Sequence, residues 1–390
     1  MKKLHLMHVI TDTNIGGAGT LLCNLLRCLD NNRFTVTVVI PEKSELIHRL
    51  APLPCQLVRT KHGADTSADY RAIHEYCHIL QQYKPDILHT HASLAARIAG
   101  RLCHIPVCVQ TRHCVFPLAV WQKNPLFRWA FRQGSQWLSD GVLAVAEAAK
   151  ENLLELGMEP SQIRVIVNGV LPIRPTSPDE QRNLARRLGI KPEHYVIGMV
   201  ARLEDYKGHM TVLHAVARLA PHFPNLRILM IGEGSLHASI VETAQLLGIS
   251  PHIILTGFVS DPAPYYALMQ WNLNASYGTE TSSLALSEGM SAGVPALAST
   301  FGGNPRMIID GENGFLFPPK DEKALSNLIE QVYRSPTLRQ KMSEGALRHY
   351  RERLTAQAMA RQMEGWYEEL WEAKTHLLPS AKEKQSPRPV

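Results

Sequence analysis

The stretch Asn168-Gly169-Val170-Leu171-Pro172-Ile173-Arg174-Pro175-Thr176-Ser177-Pro178 divides this chain. Its three prolines each fix φ and remove an N–H donor, so neither a helix nor a central strand can run through it. It reads as a linker. Before it, short apolar runs alternate with helical segments. The runs at 4–11, 35–40, 86–89, 107–111, 141–145 and 163–167 read as strands, with helices at 21–29, 70–83 and 146–156 between them. After it a second series begins, with strands at 196–201, 226–231, 253–256, 271–275 and 295–298 and helices at 210–219, 237–247 and 324–333. Such alternation predicts βαβ units and an α/β fold with parallel sheets covered on both faces. Two series in tandem predict two doubly wound, Rossmann-like domains facing a central cleft. Their ligands should bind at the C-terminal ends of the strands.

Size and composition agree with two ordinary globular domains. The chain has 390 residues, long for a single core, with 45% hydrophobic and 19% charged residues. No apolar run reaches the ~18–20 residues of a membrane span. The start, Met1 to Ile10, is cut off by polar Thr11-Asp12-Thr13-Asn14 and reads as a first strand rather than a signal peptide. The seven cysteines are odd in number, irregularly spaced and confined to the first third, which predicts a reducing, cytoplasmic setting. Cys103-His104, Cys108 and His113-Cys114 lack the Cys-x-x-Cys spacing of a zinc site, so no metal is expected. From 338 to 374 the pattern is continuously helical. Met363, Trp366, Tyr367, Leu370 and Trp371 form a packing stripe, and a polar, Pro-rich tail follows.

The loops after the strands carry the chemistry. Thr279-Glu280-Thr281-Ser282-Ser283-Leu284-Ala285-Leu286-Ser287-Glu288 places two carboxylates astride a helix start. Ser282 and Ser283 can cap that helix, and its free N–H groups favour phosphate. Glu288 lies further along the helix, roughly 8–9 Å from its start. Arg202 and Lys207, five apart on the loop after the first strand of the second half, can clamp a diphosphate. Gly16-Gly17-Ala18-Gly19 follows the very first strand, where glycines admit a ligand to the backbone. A dinucleotide fingerprint is excluded, because Leu22 stands where its third glycine should be and Pro41 where an acid should read ribose. Phe301-Gly302-Gly303-Asn304-Pro305 should line the cleft, and Asp310-Gly311-Glu312-Asn313-Gly314 should be a tight turn. His89, His91 and His113 end parallel strands and face the cleft as candidate catalytic groups.

These pieces, in this order, resemble the family 4 retaining glycosyltransferases of GT-B architecture. The resemblance runs from Gly16-Gly17 through Pro85-Asp86-Ile87-Leu88-His89, His113, Val167-Asn168-Gly169-Val170, Arg202 with Lys207, and the Glu280/Glu288 pair. It continues through Ala292-Gly293-Val294-Pro295, Gly302-Gly303 and the 310–314 turn. It implies an acceptor-side domain at 1–170, a donor-side domain at 171–355, a C-terminal helix at 356–376 packing back, and a disordered tail at 377–390. It implies transfer of a hexose-type sugar from a nucleotide-sugar, with UDP favoured, to a glycan or glycolipid acceptor in cell-surface polysaccharide synthesis, without metal or cofactor. Arg202 and Lys207 would hold the diphosphate, beside Ser283 and Leu284 at the helix end. Glu288 would bind ribose and Glu280 the sugar hydroxyls. Gly16 and Gly17 would approach from the other domain, with His113 beside the sugar. A sugar-nucleotide epimerase and a non-catalytic nucleotide-sugar-binding subunit are the alternatives. The chain departs from the family pattern at Thr281-Ser282-Ser283, where glycines are usual, and at Gly289, where alanine is.

Charge marks one more surface. Between Asp86 and Asp140 there is no acid, while Arg97, Arg101, Arg112, Lys123, Arg128 and Arg132 equal the whole chain's net charge of +6. Phe116, Trp121, Phe127, Trp129, Phe131 and Trp137 share the stretch. Together they predict a peripheral contact with an anionic membrane, at its inner face for a cytoplasmic protein. Nucleic acid is excluded for want of a recognisable binding module.

Overall fold

A computed structural model describes residues 2–14, 16–63, 68–115 and 118–377. The first sheet contains β1 (Leu4–Ile10), β2 (Phe34–Pro41), β3 (Gln56–Thr60), β4 (Ile87–His91), β5 (Val107–Arg112), β6 (Gly141–Ala144) and β7 (Ile163–Val165). Their spatial order is β3-β2-β1-β4-β5-β6-β7, with every neighbouring pair parallel. The second sheet contains β8 (Tyr195–Val200), β9 (Leu226–Ile231), β10 (Ile253–Leu255), β11 (Trp271–Asn274), β12 (Ala296–Ser299) and β13 (Gly314–Phe317), in the order β10-β9-β8-β11-β12-β13. In both sheets the order reverses beside the first strand, between β1 and β4 and between β8 and β11. Chains leave these strands in opposite directions across the sheet, opening the crevice in which ligands bind.

Two strands and several helices escaped the sequence reading. β3 is a short edge strand carrying Arg59, and β13 starts on the last glycine of the 310–314 turn. Helices Leu94–Leu102 and Pro178–Arg187 also form. In the first of these, a Cβ at Gly100 would lie 2.6 Å from the Leu88 side chain. The glycine lowers helix propensity but lets the helix sit close on the sheet.

The predicted continuous C-terminal helix is broken. Helix Pro336–Arg353 stops at Leu354, and a separate helix, Ala356–Leu377, begins after Thr355. The break has a cause in hydrogen bonding. Val170 N donates to Leu354 O at 2.9 Å and Ala356 N donates to Val170 O at 3.0 Å. The chain therefore crosses between the domains twice, and the two crossings are laced together. A Cβ on Gly169 would fall 2.4 Å from Thr355 O, so the lacing requires glycine there. The last helix then returns to the first domain. Met359, Met363, Trp366 and Tyr367 are buried in one core with Leu6, Ile10, Leu25 and Phe34, and Leu370 and Trp371 pack on its edge. The stripe read as packing is packing. The helix reaches Leu377, and the rest of the expected tail, 378–390, lies outside the described residues.

Candidate active site

The second switch point assembles most of the expected residues. β11 is an apolar run interrupted by Asn272 and Asn274, both buried. A buried amide in a central strand must find partners, and Asn274 organises the site through them. Its Nδ2 donates to Glu280 Oε2 and to Ser283 Oγ, each at 3.1 Å, and its Oδ1 accepts from Ser276 N at 3.0 Å. Glu280 Oε2 also accepts from Ser276 Oγ at 2.9 Å and from Lys207 Nζ at 2.8 Å. Lys207 and Glu280, assigned separately to diphosphate and sugar, are thus one nearly buried ion pair. Ser283 caps helix Leu284–Ser291, its hydroxyl accepting from Leu286 N at 3.3 Å. Ser282 does not cap; its hydroxyl, like that of Thr281, is buried without a hydrogen-bond partner among the described residues.

Backbone constraints hold the loop. Thr279 sits at φ 47°, a left-handed conformation disfavoured for a β-branched residue. Gly303 N donates to Glu280 O at 3.2 Å, and a Cβ on Gly303 would lie 1.7 Å from Thr281 O. The Gly302-Gly303 turn therefore backs the acidic loop, rather than only lining the cleft. On the opposite side Gly208, at φ 80°, caps helix His209–Leu219 and presses on Ala275 O. That contact fixes the Arg202–Lys207 loop against β11. Arg202 extends from the loop, its guanidinium bonded to the Tyr206 hydroxyl and 5.8 Å from that ring's centre.

Glu288 lies one turn up helix Leu284–Ser291. Its Oε2 and the Ala285 carbonyl both lie 3.0 Å from the Tyr266 hydroxyl. Loss of solvent pushes the Glu288 carboxyl up, while the Tyr266 hydrogen bond and the charge of Arg49 pull it down. Arg49 belongs to the first domain, so the acid is addressed from both sides of the cleft.

The first domain contributes its own switch point. Gly16 and Gly17 open helix Gly17–Cys28, with no acid in its first turn. Among the described residues, a Cβ on Gly17 would meet nothing within 4 Å, and one on Gly16 only Asp12 Oδ2 at 3.6 Å. None of these residues crowds the helix end, which can accept an anion. His113 follows β5, and its neighbour Cys114 lies close enough to Asp12, Arg202 and Lys207 for their charges to act on its thiol. His113 accordingly stands beside the part of the first domain that these charges reach. Behind it stand three more histidines. His91 Nδ1 lies 2.9 Å from His113 Nε2, and His91 Nε2 lies 3.1 Å from His8 Nδ1. His89 bonds Tyr367 and Thr111 instead, each at 2.6 Å. Burial lowers His113 to about 4 and His8 to about 3, and holds His89 and His91 well below the usual range.

Asn274, Ser276, Tyr266, Asp12, Arg49 and His8 were not read as site residues from the sequence. The asparagines could have been found, because polar residues alternating inside an apolar strand demand partners. Cys103, His104, Cys108, His113 and Cys114 form no group of converging ligand atoms among the described residues. Among the described residues, the group whose ligand atoms approach one another is His8, His89 and His91, within 4.8 Å.

Two parallel doubly wound sheets, a cleft between their switch points and a returning C-terminal helix define a GT-B protein. Residues 15–172 match Glycosyltransferase Family 4, and residues 180–349 match Glycosyl transferases group 1. The glycosyltransferase candidate EpsD of Bacillus subtilis (strain 168) is 31% identical over 277 residues, covering 68% of this chain and 72% of EpsD. A UDP-Gal:alpha-D-GlcNAc-diphosphoundecaprenol alpha-1,3-galactosyltransferase of Escherichia coli is 23% identical, covering 85% and 88%. Among solved structures, a Rickettsia africae glycosyltransferase superposes with a TM-score of 0.83 at 19% identity, over 95% of this chain and 99% of its own. Anabaena Alr3699/HepE, solved with UDP, gives 0.80 at 17%, over 94% and 100%. The chain belongs to the family 4, group 1 glycosyltransferases.

Proposed function

We propose that this protein is a retaining, metal-independent transferase. It moves a hexose from a UDP-sugar to a glycan or lipid-linked acceptor in cell-surface polysaccharide synthesis, at the cytoplasmic side of the membrane. The observation that carries this reading is the convergence of Lys207, Glu280, Arg202 and the Ser283-capped helix end at one switch point, opposite Gly16, Gly17 and His113. Cleavage of the anomeric bond places negative charge on the departing diphosphate. Lys207, Arg202 and the Leu284 amide end stabilise that charge from fixed positions, supplying what a cation would otherwise supply. Glu280 holds the sugar hydroxyls and Glu288 the ribose, while His113 lies beside the ring as it becomes oxocarbenium-like. Attack from the leaving-group face, with a phosphate oxygen taking the acceptor proton, retains configuration. HepE, solved with UDP-glucose, and the Escherichia coli relative named for UDP-Gal and a diphosphoundecaprenol acceptor support a UDP donor and a lipid-linked acceptor. An epimerase would consume donor without acceptor, and a binding subunit would bind donor without transfer.

Thermal unfolding with UDP, GDP and their sugars, beside Glu288→Ala, tests the donor site. A ligand at 100 times its Kd stabilises by about 2.7 kcal/mol. A shift with uridine nucleotides that Glu288→Ala abolishes is expected. A shift with guanosine nucleotides alone would overturn the UDP assignment, and no shift with any nucleotide would overturn the site.

The membrane contact rests on helix Pro125–Leu138 and the turn before it. Val120, Trp121, Leu126, Trp129 and Trp137 are between 57% and 89% exposed, and Phe116 lies outside the described residues. The charge is thinner than the sequence suggested. Arg97 and Arg112 turn inward, Arg101 pairs with Asp140 and Arg132 with Glu159, leaving Lys123 and Arg128 on the exposed face. Apolar insertion is therefore the larger contribution. No helix among the described residues is long and apolar enough to cross a membrane. Co-sedimentation with anionic vesicles is expected to drop at least severalfold in Trp121→Ser/Trp129→Ser; equal binding by both proteins removes the contact.

A further inference from the structure

His8, His91 and His113 lie on one face of the first sheet, where β1 pairs with β4 and β4 with β5. Two ring-to-ring hydrogen bonds, of 3.1 and 2.9 Å, join them into a line running from the core to the cleft. The inner end is His8 Nε2, buried and without a hydrogen-bond partner among the described residues. We infer that His8 and His91 are positioning residues that hold His113 in the tautomer protonated on Nδ1, so that this nitrogen donates into the cleft.

The inference rests on reading the cleft as the transfer site, and it follows from counting protons. A neutral imidazole has one N–H and one lone pair, and the bond made by one nitrogen fixes the other. With all three rings neutral, only two arrangements satisfy both hydrogen bonds. In one, every proton points inward and His8 Nε2 becomes a buried N–H with no acceptor. In the other, every proton points outward and His8 Nε2 keeps a bare lone pair. Orphaned buried N–H groups are the rarer of the two, so the outward arrangement holds. His113 then donates to a hydroxyl oxygen of the bound sugar. A metal bound by His8, His89 and His91 fits less well. His91 stacks on His89, with ring centres 4.8 Å apart and planes at 12°, so the in-plane lone pairs of these two rings do not converge. Both nitrogens of His91 and both of His89 are already engaged.

The test is nitrogen NMR of the full-length protein labelled with 15N-histidine, near pH 7.5, with the His113 signals identified by their loss in His113→Asn. The expected spectrum has His113 protonated on Nδ1, with no donor or acceptor added. His8→Phe should mix the tautomers and lower kcat by up to about tenfold, the scale of one hydrogen bond, with donor affinity unchanged. His8→Asn restores a donor near the Nδ1 position and should recover both. Protonation of His113 on Nε2 overturns the inference even if His8→Phe does not fold. So does an unchanged tautomer in folded His8→Phe, or stoichiometric zinc in the purified protein that His8→Phe loses. Because the spectrum is read without turnover, failure of the transferase reading would leave the tautomer result standing.

Discussion

Lys207→Ala is expected to lower kcat/KM by about 10²–10³, the scale of losing one fixed charge donor aimed at a developing anion. The ammonium touches Glu280 at 2.8 Å and lies on the loop that also carries Arg202. Two explanations of such a loss must be separated. Lysine could act on the diphosphate, or it could serve only to neutralise Glu280. In the second case the damage is structural, since removing one partner of a nearly buried pair strands the other. Glu280 would keep its Asn274 and Ser276 donors, so the fold should survive. The double variant Lys207→Ala/Glu280→Gln removes the stranded charge. It should regain the melting temperature lost by Lys207→Ala, and its turnover should stay about 10²-fold below that of Glu280→Gln alone, which already lacks the sugar contact. Turnover equal to that of Glu280→Gln alone would reduce Lys207 to a counter-ion. Arg202→Ala should lose activity on the same scale with less effect on stability, because its guanidinium is exposed and held by Tyr206. Near-normal turnover in both single variants would overturn the site.

The fold was legible because its signal is local. The apolar runs of β1, β2, β5, β8 and β9 sit between helical segments, and three prolines mark the join. β3 was not legible because Gln56-Leu57-Val58-Arg59-Thr60 mixes polar and apolar residues, and β13 because only Phe315-Leu316-Phe317 stand between a glycine turn and Pro318. The break at Thr355 was hidden for another reason. Helical periodicity continues through it, and the competing hydrogen bonds come from Val170, far away in sequence. The site divides similarly. Glu280, Glu288, Arg202 and Lys207 each announce themselves by residue type and by position in a loop. That Lys207 bonds Glu280 depends on β8 lying beside β11, a pairing between segments 73 residues apart. The histidine line needs β1 beside β4, so His8 read only as part of an apolar strand. Position within a βα loop can be inferred from pattern; adjacency across a crossover cannot.

Those histidines should make the protein acid-labile. His8 is lowered to about 3, His113 to about 4 and His209 to about 4, each by burial, and His89 and His91 lie well below the usual range. In the unfolded chain each titrates near ~6.5. Between those values the unfolded state binds a proton that the folded state refuses, so stability rises with pH there. Above about pH 6.5 both states are neutral and the contribution is level. As pH falls through 6.5, each histidine costs about 1.4 kcal/mol per pH unit until its folded value is reached. By pH 5 His8 and His113 alone cost the first domain about 4 kcal/mol and His209 costs the second about 2 kcal/mol, against a typical domain's ~5–15 kcal/mol. Glu288, raised by burial, acts in the opposite sense, and Asp140, lowered by its partners, contributes in the same sense as the histidines only at more acid pH. The melting temperature should therefore be level from pH 8 to 7 and fall steeply below 6.5. His8→Phe should lessen the slope by about one proton, or about 1.4 kcal/mol per unit. A melting temperature level from pH 8 to pH 5 would mean that these rings are solvated, and would remove the buried line on which the tautomer of His113 depends.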